Sequence, residues 1–315
     1  MHLNLNVGVY GTGAVGLFYS SFLLQAKKCN VHFLLRSDYD FISNHGITMK
    51  SDIFDDLHHD SSTFSYYKSP SDMDVDLDFI LICSKTIYND EIISDILPQL
   101  VKPSTAIIIL QNGLDNELPF ATAFPSNNVI GGIALVCAQR LSSGVVHHID
   151  HGSLLLGPHN CSPDVVQRFA DLFLDSGMQV SITADLRLAR FMKLVFNVIL
   201  NGLSVVLSAH TSQLTSLDRL LSVEEVIGDE VCKVAESVEC FFPKNFVSNS
   251  ISNAKKMAKY KPSMLVDYEA KRPLELEYLY FKLLSLAAKN GVEVPMCTML
   301  AAQLEMLDAR NRGLI

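Results

Sequence analysis

Six residues near the start of the chain, Gly11-Thr12-Gly13-Ala14-Val15-Gly16, constrain the fold more than any other feature. They follow an apolar run, LNVGVY (5–10), and open a segment of helical periodicity. A strand that passes through three spaced glycines straight into a helix is the opening of a βαβ unit. Gly11 permits the tight turn, Gly13 lets a ligand approach the backbone, and Gly16 lets the helix lie close on the strand. Thr12, Ala14 and Val15 complete a loop whose N–H groups, with the partial positive charge of the helix end, suit a pyrophosphate. The bland alternative is a glycine-rich turn without a ligand.

The rest of the first half fits this opening. VHFLL (31–35), DFILIC (78–83), AIIIL (106–110) and VIGGIALV (129–136) read as strands. Two of them, 79–83 and 106–110, are continuously apolar, as strands of a parallel sheet covered on both faces should be. The expectation is an α/β, doubly wound unit. GVVHHIDHGSLLLG (144–157) reads as a hairpin, and DVVQRFADLFLDSG (164–177) as a helix closed by Gly177. The polar stretch 50–76 reads as a surface excursion. After about residue 182 strand-like runs give way to long apolar-periodic segments, so the second half should be all-helical. The boundary is placed at 181, giving domains 1–181 and 182–315. The length of 315 residues and the 49% hydrophobic content suffice for two cores.

Charge narrows the partners. The chain carries 25 Lys+Arg against 34 Asp+Glu, a formal net charge of −9, and lacks a basic run of the kind that reads nucleic acid. A small anionic substrate remains compatible, because sites are local. The first residues, MHLNLNVGVYGTG, lack a charged leader and a long apolar core, so no secretory signal is expected. The longest apolar stretch, 191–209, is interrupted by Lys193, Asn197, Asn201 and Ser204, so no membrane span is expected. Seven scattered cysteines with no CxxC spacing point to reduced thiols in a cytoplasm.

The end of the second strand reports on the cofactor. An enzyme using NAD usually places an acid there for the ribose hydroxyls. This chain reads Leu34-Leu35-Arg36-Ser37-Asp38. A guanidinium with a neighbouring hydroxyl suits a 2′-phosphate, so Arg36 and Ser37 point to NADP. Asp38 keeps NAD as the minority reading.

A second constellation lies in KLVFNVILN (193–201). Lys193, Asn197 and Asn201 are four residues apart and share one stripe of an otherwise oily helix. A lysine in an apolar wall is a candidate proton donor to a carbonyl, and two carboxamides can hold a substrate while staying neutral. Spacing alone leaves the alternative equally open: a snorkelling lysine and two asparagines bonded to backbone.

These segments together resemble the ketopantoate reductase (2-dehydropantoate 2-reductase) family. The likeness runs nearly end to end, through GTGAVG, Arg36, CSKT (83–86), QNG (111–113), KLVFNVILN and PSMLVDYEAKRPLELEY (262–278). It implies an N-terminal Rossmann-type domain, an all-helical C-terminal domain and a site between them. It further implies NADPH as cofactor, a small 2-keto acid as substrate and a homodimer as a possible assembly. By the same likeness Lys193 corresponds to the general acid, and Asn197, Asn201 and Ser263 to substrate-binding positions. Glu275 corresponds to the acid that supports catalysis, and Lys85 and Asn112 to positions lining the nicotinamide and its ribose. Independently, Pro273 suits the first position of a helix, which would put Glu275 in its first turn.

The chain departs from the family at Tyr280-Phe281, where many members carry Asn-Gly, and at Thr211, where some have an asparagine. These positions bear on the choice of keto acid rather than on hydride chemistry. Other 2-keto acids, or a regulator that binds NADP without turnover, are the competing functions. His147, His148 and His151 suggest a metal, but no further ligand set accompanies them, and none is expected.

Overall fold

Strand β1 (Leu5–Tyr10) lies inside a sheet, parallel to β2 (Cys29–Leu34) on one side and to β6 (Phe79–Ile82) on the other. The structure, a computed structural model, describes residues 5–257 and 260–315. Beyond β6 come β7 (Ala106–Ile109) and β8 (Val129–Ser142), again parallel. Their continuous apolar runs serve two cores at once. Val7, Val9, Phe79, Leu81 and Ile108 pack with Leu17, Phe18 and Phe22 of the first helix, Ala14–Ala26. Tyr10, Ile80, Ile82, Ile107 and Ile109 face the other way and pack with Ile92, Leu97 and Phe120. Neither face is left for water, which is why these strands carry no polar alternation.

The sheet is larger than the sequence suggests. Its order is β4 (Leu57–His59), β3 (Ile47–Ser51), β9 (Val145–Pro158), β8, β7, β6, β1, β2, β5 (Ser65–Tyr67), with β10 (Gln179–Ile182) also on β9. The stretch 144–157 is not a hairpin by itself. It forms one long strand, β9 (Val145–Pro158), antiparallel to β8. The chain reverses at Gly144, which has φ +66°, and not around Gly152. His151 (φ +65°) and Gly152 (φ +111°) instead form a bulge, where Leu135 opposes Ser153 and Val136 opposes His151. The polar stretch after residue 50 lengthens both ends of the sheet. β3 (Ile47–Ser51) joins β9 and carries β4 (Leu57–His59), while β5 (Ser65–Tyr67) joins β2 at the far edge. The helix expected to run to Gly177 ends sooner, as Pro163–Ala170, and a short 3-10 turn, Asp171–Phe173, follows.

The chain divides into two compact units: one holds the residues up to Gln111 with Asn116–Leu186, the other Asn112–Asp115 with Arg187–Ile315. Among the described residues the second unit is entirely helical. Its principal helices are Leu186–Leu207, Asp218–Glu236, Phe246–Lys256, Ser263–Glu269, Lys282–Lys289 and Pro295–Asn311, with a π-turn, Glu277–Phe281, ahead of the fifth. The first of these is long and apolar enough to cross a membrane, yet 72% of its most apolar window is buried within the protein. Free thiols at Cys29, Cys83, Cys161, Cys232 and Cys297 all have their pKa raised by burial, which makes them poor nucleophiles.

Helix Asp218–Glu236 buries two carboxylates with opposite fates. Glu230 accepts the backbone N–H groups of Met296 (3.0 Å) and Cys297 (2.8 Å), closing the start of the last helix. Glu224 is fully buried and both its oxygens lack a partner among the described residues. Burial pushes its pKa up to about 7. The folded state therefore keeps a proton that the unfolded chain releases above its ordinary pKa. Stability should fall as pH rises from about 4.5 to 7 and level off beyond, a loss on the order of 3 kcal/mol. Glu224→Gln should flatten that slope, so that denaturant titrations at pH 5 and pH 8 differ less in the variant than in the parent.

Candidate functional site

In the first unit the glycine turn is built by steric necessity. Gly11 sits at φ +102°, and a Cβ there would come within 2.3 Å of the Ser84 backbone nitrogen. A Cβ on Gly16 would lie 1.9 Å from the Gly11 carbonyl oxygen. Gly13 differs, since a Cβ there would meet nothing within 4 Å. It caps the helix Ala14–Ala26 without a side chain, and the first turn of that helix contains no acid. The result is an open cradle in front of unsatisfied N–H groups at a helix N-terminus, a surface that fits a dinucleotide pyrophosphate.

Around the turn lie the other expected residues of this unit. Arg36 and Ser37 are exposed just past β2. The Arg36 guanidinium lies 4.9 Å from the centre of the Tyr88 ring and 3.9 Å from Glu91. Burial raises the pKa of Tyr10, against the opposing charge of Arg36 beside it. Lys85 is half-buried ahead of the turn Thr86–Tyr88. Asp38, the residue that kept NAD in play, is buried, and its carboxylate is already engaged by Thr12 (2.8 Å) and by Arg140. Sequence reasoning missed Arg140, Tyr88 and Gln111. Gln111 donates to the Ser84 carbonyl (3.0 Å) and to Asn89 Oδ1 (2.7 Å), and so ties the QNG segment to the loop beside Gly11. Its membership of QNG was the available signal.

In the second unit Lys193, Asn197 and Asn201 lie on one helix, Leu186–Leu207, as the spacing requires. Lys193 is half-buried with Nζ 5.1 Å from the Phe196 ring centre. Asn197 and Asn201 are 6% and 5% exposed. Asn201 Oδ1 accepts the backbone N–H of Met264 at 3.5 Å, which brings it to the start of helix Ser263–Glu269, where Ser263 is exposed. Asn197 Nδ2 is buried without an acceptor among the described residues. Such an orphan donor costs roughly 1–3 kcal/mol, so its retention is a reason to look for a ligand acceptor.

Glu275 is half-buried and precedes the helical run instead of lying in its first turn; the π-turn begins at Glu277. Pro273 therefore sits in the approach to the helix and not at its first position. Asn112 lies in the short segment that belongs to this unit. Next to it, Gly113 has φ +114°, and a Cβ there would come within 2.5 Å of the Tyr278 carbonyl oxygen. Leu114 N–H donates to that oxygen at 2.9 Å.

The departures from the family pattern are occupied by the fold. Tyr280 is fully buried, its hydroxyl donating to the Val198 carbonyl (3.0 Å). It fills the space left by Gly202, where a Cβ would come within 2.5 Å of that hydroxyl. Thr211 donates its hydroxyl to the Tyr260 carbonyl at 3.2 Å. Two of the three histidines also have side-chain partners: His147 pairs with Asp52 (2.9 Å), and His148 contacts Ser51 (2.8 Å) and the Asp150 carbonyl (3.0 Å). Among the described residues no group of three metal-ligating side chains is formed.

Comparison with known proteins adds the following. The family model described as "Ketopantoate reductase PanE/ApbA" matches residues 7–160, and its C-terminal counterpart matches residues 185–308. A 2-dehydropantoate 2-reductase of Nostoc sp. is 34% identical over 96% of this chain and 95% of its own. The crystal structure of 2-dehydropantoate 2-reductase from Geobacter metallireducens GS-15 superposes with a TM-score of 0.89 at 32% identity, covering 96% of this chain and 99% of that one. A ternary structure of D-mandelate dehydrogenase with NADH and anilino(oxo)acetate shares the fold, with a TM-score of 0.86 at 20% identity over 98% and 99% of the two chains.

The three glycines should separate folding from binding. Gly16→Ala forces backbone apart and should cost roughly 3 kcal/mol or more. Gly13→Ala should change stability by no more than about 1 kcal/mol, because its Cβ points into open space. The same Cβ should weaken dinucleotide binding at least tenfold. Thermal melts without ligand, paired with fluorescence titrations of NADPH, distinguish the two effects.

Proposed function

The chain belongs to the ketopantoate reductase family, and on that premise we propose that it reduces the 2-keto group of 2-dehydropantoate (ketopantoate) to give pantoate, with NADPH as reductant, in pantothenate and coenzyme A biosynthesis. The observation that carries this reading is the helix stripe of Lys193, Asn197 and Asn201, with the orphan amide of Asn197 buried in it.

In this reading the glycine turn and the start of helix Ala14–Ala26 hold the pyrophosphate, and Arg36 with Ser37 takes the 2′-phosphate. Lys85 and Asn112 line the nicotinamide and its ribose, as in the family. Once bound, the dihydronicotinamide supplies a hydride to the keto carbon. Lys193 gives a proton to the carbonyl oxygen as it gains negative charge, an interaction stronger in the transition state than in the ground state. Asn197 offers its unsatisfied N–H to the substrate, Asn201 and Ser263 hold its other polar groups, and Glu275 positions its hydroxyl. The test is direct: purified protein should oxidise NADPH in the presence of ketopantoate. Turnover only with a different branched 2-keto acid would transfer the reading to that substrate, and cofactor binding without turnover on any keto acid would leave a non-catalytic regulator.

Charge-assisted contact with a phosphate contributes roughly 1.5–3 kcal/mol. Arg36→Ala should therefore weaken NADPH binding more than tenfold and leave NADH nearly unchanged. Equal losses for the two cofactors would remove Arg36 from the 2′-phosphate.

Lys193→Met keeps length and apolar character. It should fold as well as the parent and bind NADPH normally, while kcat falls by at least about 10²-fold, the lower end for general acid catalysis. The basic limb of the parent's pH–rate profile should vanish in the variant. Normal kcat with an unchanged profile would reduce Lys193 to a snorkelling residue.

A further inference from the structure

Asp38 stands at the start of the helix Tyr39–His45, where an aspartate ordinarily bonds to the N–H groups of its own first turn. It makes no such bond. Its side chain, 2% exposed, points back to the glycine turn instead, where Thr12 Oγ1 donates to Oδ2 at 2.8 Å. That contact brings to the glycine turn a carboxylate from just past the end of β2, where NAD-binding proteins of this fold keep a ribose acceptor. The second oxygen is taken by Arg140 Nη2. Arg140 comes from the far end of β8, where a register shift between Arg140 and Ser142 re-aims the strand. Its head is fixed from behind, Nε donating to the Ser142 carbonyl (3.1 Å) and Nη2 also contacting Ser143 Oγ (3.3 Å).

We propose that Arg140 is a specificity-determining residue that holds Asp38 out of use as a ribose acceptor and cancels its charge beside the 2′-phosphate site. The acid that would favour NADH is thus present but locked, two residues from the cation that favours NADPH. A buried carboxylate without its counter-charge would repel a 2′-phosphate and would regain a free oxygen for a 2′-hydroxyl. The lock works by position: the same aspartate serves either cofactor according to whether the arginine occupies it.

This inference rests on the proposed use of NADPH, and the experiment separates the two. Dissociation constants for NADPH and NADH are measured by nucleotide fluorescence on the parent and on Arg140→Gln, Arg140→Lys and the double variant Asp38→Asn/Arg140→Gln, with ligand-free melts of each. Arg140→Gln should weaken NADPH at least tenfold and leave NADH unchanged or tighter. Arg140→Lys should keep the parent's ratio, because it keeps the charge. The double variant removes both charges, should melt close to the parent and should not gain NADH affinity. Equal losses for both cofactors in Arg140→Gln, an unchanged ratio, or tighter NADH binding in the double variant would overturn the lock. A parent that prefers NADH would overturn the NADPH reading itself, and the lock with it. A parental preference for NADPH whose ratio to NADH Arg140→Gln leaves unchanged overturns the lock alone.

Discussion

The first unit depends on one backbone-to-backbone approach. The carbonyl of Gly11 and the Cα of Gly16 come so close that no side chain fits between them, and the Ser84 backbone fills the other side of the turn. That closeness seats the helix Ala14–Ala26 on the sheet and lets Leu17, Phe18 and Phe22 reach the strands below. It also aims the helix's unsatisfied N–H groups outward past Gly13. Packing and binding are therefore the same piece of geometry. Crowding enforces two of the glycines, while the third is kept free of crowding so that something else can approach.

The second unit faces the converse constraint. A helix buried along most of its length has to account for each polar group it carries. Asn201 is met by the Met264 amide, Ser204 by the Asn201 carbonyl at 2.8 Å, and Lys193 keeps partial access to solvent over an aromatic ring. Asn197 alone of the stripe keeps a buried donor with no acceptor among the described residues. A sequence selected only for stability would not leave that donor buried and unpaired. Its persistence in such surroundings is the physical sense in which this helix is a site as well as a core.

Much of this was legible in the chain before its structure. β1 and the helix start followed from steric rules that three glycines announce, and the two-sided sheet followed from runs with no polar residue to spare. The polar stripe followed from helical period alone. Other features were hidden for identifiable reasons. The end of β8, Gln139-Arg140-Leu141-Ser142, carries loop-like residues, and glycines at both 144 and 152 compete to be the turn. Only tertiary pairing decides that one reverses the chain and the other makes a bulge. The edge strands after residue 50, β4 and β5, are three residues long and mostly polar, because an edge has one neighbour and an open side. Asp38 kept NAD as the minority reading because its proximity in sequence to β2 was visible, whereas its partner stands 102 residues away. Pro273 suggested a helix start that the chain delays until after Glu275.

The segment Asn112–Asp115 belongs structurally to the helical unit although the chain on both sides of it belongs to the other. Gly113 lies against Tyr278, and the Leu114 amide occupies the Tyr278 carbonyl. The two units are consequently not modules that one cut can part. A fragment beginning near residue 187 would leave that carbonyl bare and the glycine's niche empty. A chimaera that exchanged the helical half alone would need an incoming helix able to receive a foreign loop. Recombination at the obvious seam is thus penalised.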